Sequence, residues 1–192
     1  MRAQPARHHA GLAGHPLRRP VRTRALRRLL RRRRNREGVA AIEFAFVAIP
    51  FLILLFAILE IGGLLVLDAS LENAMIETNR LIRTGQAQEG GLNREGFRSA
   101  ICDRMTIFSD GCANNLFVDV RVVPQFRNQT PPQPNAQGFP QEFQIGEAGD
   151  LILVRVWYRH RMITPLMQQA VSRFGDGNAI VAVTTAFKNE PF

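Results

Sequence analysis

Few side chains in this sequence have the type and spacing to do chemistry. Cys102 and Cys112 are the only cysteines. A pair closing a loop of about ten residues forms a structural disulfide in an oxidising compartment, worth roughly 2–3 kcal/mol in the chain-entropy model. Redox activity would call for a C-x-x-C spacing, which is missing. Metal binding lacks ligands, because His160 alone accompanies the cysteines while His8, His9 and His15 lie within the first 15 residues. The sequence contains no G-x-S-x-G, no H-E-x-x-H and no G-x-x-x-x-G-K-[ST], and Gly175-Asp176-Gly177 reads as a turn after a helix. An enzyme is therefore not expected, nor a cofactor, a metal or a small-molecule substrate. Two carboxylates remain conspicuous. Glu43 and Glu60 interrupt apolar sequence, where a charge is costly unless it is paired or interfacial.

The element that positions both carboxylates is an apolar run from Phe44 to Leu67, 24 residues whose only ionisable member is Glu60. As a helix rising about 1.5 Å per residue it spans the roughly 30 Å hydrocarbon core of a bilayer. It is apolar on every face, and nothing else in 192 residues could enclose it as a soluble core helix. Glu60 follows Glu43 by 17 positions, about 25 Å along a helix, so the two sit near opposite interfaces. At that depth Glu60 either snorkels or meets a neighbouring subunit.

Charge sets the expected orientation. Residues 1–37 hold 13 arginines against one acid, a net +12, while the remainder holds 12 basic and 15 acidic side chains, a net −3. The positive-inside rule places residues 1–38 in the cytoplasm, residues 39–67 in the membrane and residues 68–192 outside. The body is slightly acidic, and no aromatic residue interleaves the arginines up to Arg36, so nucleic acid is not an expected partner. The arm is better suited to anionic lipid. Its length and its bias to arginine also fit translation from a later start such as Val21. A cleavable secretory signal is a poorer fit, since the apolar run is too long and no Ala-x-Ala site ends it.

Beyond the span the pattern predicts a continuing amphipathic helix, with Leu67, Leu71, Ala74, Met75, Thr78, Leu81 and Ile82 on one face and Glu72, Asn73, Glu77 and Asn79 on the other, ending near Gly85. Residues 93–108 place Phe97, Ile101, Met105 and Phe108 on one helical face behind an Asn93 cap. Strands are predicted over 116–123, half-buried, over 151–160 and over 180–187. A short helix is bracketed by Thr164-Pro165 and Gly175. Trp157 and Tyr158 read as core and edge packing. Pro124, Pro131, Pro132, Pro134 and Pro140 mark a long exposed loop. The fold class is α+β: a long N-terminal transmembrane helix and a small head outside the membrane with an antiparallel sheet of about three strands.

The junction before the span is more specific than its hydropathy. It reads R-N-R-E-G-V-A-A-I-E-F, a basic leader ending in Gly38, then Val39, two alanines and Ile42, then Glu43 and the aromatic Phe44. Together with Pro50 and Glu60 in the span, N-R-L-I-R-T-G at 79–85 and F-K-N-E-P-F at 187–192, this resembles the TadE-like pilus assembly proteins, pseudopilins of the Flp/Tad tight-adherence system. The resemblance implies a pilin-like fold in a bacterial inner membrane with its head periplasmic, cleavage by a prepilin peptidase between Gly38 and Val39, and a role for Glu43 in assembly. It also implies other Tad pilus subunits or assembly proteins as partners, besides inner membrane lipids. The competing reading is an unprocessed single-span envelope protein that scaffolds a secretion or pilus machine.

Overall fold

The computed structural model describes residues 22–127 and 130–192, of which residues 22–37 as backbone only. Most of the expected leader, with His8, His9, His15 and Val21, therefore lies outside the described residues. The chain divides between Pro50 and Phe51 into two compact units.

A single helix, α1, runs Arg22–Arg83 with Pro50 inside it. Its Gly38–Arg83 portion contains the one stretch among the described residues long and apolar enough to cross a membrane, and none of that window is buried. In the first unit Glu43, Phe44 and Phe46 are exposed. In the second, most apolar side chains stay exposed through Leu65 and Val66, Leu64 is partly covered by the core, and full burial begins at Leu67. From there Leu67, Leu71, Ala74, Met75, Thr78 and Ile82 form a buried stripe. Asn79, expected on the polar face, is buried as well. A helix packed against a sheet covers a band wider than the narrow four-three repeat, and position 79 falls inside it.

Three strands, β1 (Leu116–Val122), β2 (Leu151–Arg161) and β3 (Asn178–Lys188), form an antiparallel sheet in the order β1-β2-β3. Register sets Val118 opposite Val156, and Val156 opposite Val183. One face of the sheet presents Leu116, Val118 and Val120 of β1, Ile152, Val154, Val156 and Tyr158 of β2, and Val181, Val183 and Phe187 of β3. These join the α1 stripe and Phe97, Ile101 and Met105 in one core cluster. Each fully buried aliphatic or aromatic side chain there contributes about 1.5–3 kcal/mol of transfer free energy.

Short helices link α1 to the sheet: α2 (Gln86–Glu89), α3 (Arg94–Arg104) and α4 (Cys112–Asn115). Asn93 caps α3 as the sequence predicts, its side-chain oxygen accepting from the Gly96 N–H at 2.8 Å. The helix ends at Arg104, short of Phe108, and Thr106–Phe108 forms a 3₁₀ turn. α5 (Pro165–Val171) follows β2, with Pro165 in its first turn. The Cys102–Cys112 disulfide is formed and ties α3 to α4.

The sheet's second face is where sequence and structure part. The proline-rich segment between β1 and β2 does not hang free. Residues 142–144 run beside β1, with Val120 N–H donating to the Glu142 carbonyl and Gln144 N–H to the Val120 carbonyl, each at 2.9 Å. Pro134 is buried, and Phe139 stacks on Phe117 with ring centres 4.1 Å apart. β1 is consequently covered on both faces along its middle, not half-buried.

Candidate functional site

Gly38, Val39, Glu43 and Phe44 all lie within helical backbone. Gly38 has no structural need to be glycine: nothing lies within 4 Å of where a Cβ would stand. Glycine inside a helix costs about 1 kcal/mol relative to alanine, so its presence there calls for a reason outside the fold. Glu43 lies four residues, about 6 Å of rise, beyond Val39, on the same face of the helix. Among the described residues Glu43 forms no ion pair.

Glu60 does have partners, and they lie in the head. Its carboxylate accepts from the backbone N–H of Ile163, and from that of Thr164 at 3.1 Å to one oxygen and 3.3 Å to the other. The tie brings the turn before α5 against α1. A groove of about 480 Å³ opens beside it, with Ile53, Phe56, Leu59, Ile163 and Pro165 among its lining residues. Sequence offered snorkelling or a neighbouring subunit for Glu60. The contact that forms is intramolecular, across 103 residues.

Two motif ends that are far apart in sequence also meet. Arg83 pairs with Glu190 at 2.8 Å, and the Arg83 carbonyl accepts from the Glu190 N–H. Gly85 is in the left-handed conformation (φ 80°), and a Cβ there would collide with the Phe192 ring at 2.5 Å. Asn189, buried, donates through Nδ2 to the Ile145 and Glu147 carbonyls at 3.0 Å each. The N-R-L-I-R-T-G and F-K-N-E-P-F segments thus form one clasp at the end of α1. Beside it, the buried Asn79 amide has no hydrogen-bond partner among the described residues.

The residues that sequence reasoning missed are charged and central to the sheet. Asp119, fully buried, accepts from Arg155 Nη2 at 2.6 Å, from Arg121 Nε at 2.9 Å and from the Glu142 N–H at 3.0 Å. Arg121 reaches on to the Glu142 carboxylate at 2.6 Å, and Arg155 Nη1 donates to the Pro132 carbonyl at 2.7 Å. Burial alone would push the Asp119 carboxyl up. The hydrogen bonds from Arg121, Arg155 and the Glu142 N–H outweigh it and hold the group below the ordinary aspartate range. The available signal was a charge within the apolar part of each of two strands, which pairing sets directly opposite as Asp119 and Arg155.

The Cys102–Cys112 bond closes a ten-residue separation beneath the core. Its reduction should lower the stability of the head by about 2–3 kcal/mol. A urea titration followed by Trp157 fluorescence, with and without reductant, reads this as a shift of the midpoint. Among the described residues no cluster of three or more His, Cys, Asp or Glu side chains could hold a metal ion.

One apolar helix able to span a bilayer, continuing into a small α+β head with its exit clasped to the sheet, defines a class: candidate single-span proteins with an extramembrane head. More particularly, the model of the family described as TadE-like protein matches residues 38–78. The chain is similar to that family over α1 from Gly38 through most of the buried stripe. No curated protein and no solved structure matches the chain.

Proposed function

We propose that this protein is a pseudopilin needed to initiate or assemble a Tad-type pilus, processed between Gly38 and Val39 and inserted with residues 1–38 in the cytoplasm and its head in the periplasm. The observation that carries the reading is that the family match begins at Gly38, a glycine that costs helix stability and has nothing within 4 Å of where a Cβ would stand. A peptidase that must fit the backbone closely supplies the missing reason for it. Cleavage then leaves an α-amino group on Val39, and the Glu43 carboxylate one turn along can pair with it in the same subunit or a neighbour. Such a pair in low dielectric sets register, because removing one partner leaves the other charge uncompensated. The buried network around Asp119 and the disulfide serve the stability of the head rather than any turnover, which suits interaction with other pilus subunits.

The test is intact mass and N-terminal sequencing of protein taken from its native membrane, where a chain beginning at Val39 is expected. An arm still joined to Val39 would overturn processing and leave the single-span scaffold. Glu43→Gln should be cut normally yet incorporate poorly into pili, seen as mature-length protein that stays in the membrane fraction.

A further inference from the structure

We propose that the head makes a second membrane contact of its own, the segment from Ile163 to Val171 lying in the lipid leaflet nearest the head. The proposal rests on the reading of α1 as a membrane span. The Glu60 hydrogen bonds hold Ile163 and Thr164 at the level of position 60 on α1. Beyond that level one side of α1 keeps exposed apolar surface for six more residues, at Ile61, Leu65 and Val66, about 9 Å of helix, while Leu64 turns toward the core. A bilayer that covers this surface also covers the tie.

The side chains delivered there suit acyl chains. Ile163 is 84% exposed and Leu166 56%, the reverse of what water favours for two large aliphatic groups on one turn. The surface of Ile163 is continuous through the groove with that of Phe56 and Leu59 on α1, and Leu166 follows Pro165 of the same lining. Non-helical backbone is tolerated in hydrocarbon only when its polar groups are paired, and Glu60 pairs the two N–H groups preceding α5. The same bonds answer the opposite problem, a carboxylate inside an apolar span. Arg161 and Arg173, both exposed, stand at the two ends of the segment, where phosphate headgroups would meet them. This arrangement is that of a short interfacial helix.

The experiment uses the full chain in nanodiscs of phosphatidylethanolamine and phosphatidylglycerol. A spin label is placed at Ile163→Cys or Leu166→Cys, with Ile58→Cys as the span control and Glu89→Cys as the water control. The native cysteines are occupied by their disulfide, and its retention checks that each variant is folded. Accessibility to oxygen relative to a water-soluble nickel chelate should be several-fold higher at 163 and 166 than at 89, and close to that at 58. A water-like ratio at 163 and 166 beside a lipid-like Ile58→Cys overturns the proposal and leaves the span standing. Shielding from both reagents overturns it in favour of a second protein surface. A water-like ratio at Ile58→Cys removes the span reading, and the proposal with it.

Discussion

Replacing Asp119 by alanine should destabilise the head by about 3–5 kcal/mol, the cost of breaking a buried ion pair from one side. The substitution leaves the Arg155 guanidinium, whose side chain is 5% exposed, without its counter-charge. It also removes one of the two carboxylates that Arg121 bonds and leaves the Glu142 N–H without its acceptor, so the segment that covers the outer face of the sheet loses one of its ties. Trp157 reports the event directly: it is the only tryptophan, it is buried, and the Arg155 guanidinium lies 4.9 Å from its ring centre. Urea unfolding of the full chain in detergent, followed by that fluorescence, gives the number. Glu190→Ala, which removes the exposed Arg83 pair, should cost no more than about 1 kcal/mol and serves as the contrast. The same carboxylate predicts a pH dependence. In the unfolded chain Asp119 titrates near its ordinary value of about 4, and in the folded head it titrates lower. Between those values the unfolded state takes up a proton that the folded state refuses. Stability present above about pH 4 is therefore lost as pH falls through the folded value. Asp119→Asn should flatten that part of the profile, and an unchanged slope would assign the acid sensitivity elsewhere.

The second large effect is all-or-none. Gly38→Leu should abolish processing, so that the protein accumulates with its arm attached and intact mass finds no chain beginning at Val39. The fold does not resist this change, since a side chain at position 38 meets nothing and leucine favours the helix. A folded head with its disulfide intact would locate the defect in recognition by the peptidase. Mature-length protein from Gly38→Leu would remove the pseudopilin reading altogether.

Much of this architecture is legible because the signals are long and periodic. The apolar run, the stripe from Leu67 to Ile82, the Asn93 cap and the three alternating strands each announce themselves within one element. What the sequence concealed depends on pairing between elements. Asn79 looks polar until the sheet closes over it. The prolines between β1 and β2 suggest an exposed loop because composition does not reveal that Pro132 offers a carbonyl to Arg155 or that Phe139 finds the Phe117 ring. The Asp119 cluster becomes visible only when register sets Asp119 and Arg155 opposite each other. Glu60 is the sharpest instance: its partners are backbone N–H groups, which leave no mark in composition at all.

The clasp between Arg83 and Glu190 joins positions 107 residues apart. At a synthesis rate of about 5–20 residues per second, the stripe on α1 emerges on the order of 5–20 s before the last strand can cover it. Until β1 and β2 have followed, Leu71, Met75 and Ile82 have no sheet to meet, and the loop-closure cost of the clasp is offset only when β3 arrives. The nascent helix must therefore spend seconds as a greasy, unpartnered surface beside the membrane, where a holding chaperone or the bilayer itself would find its longest opportunity to act.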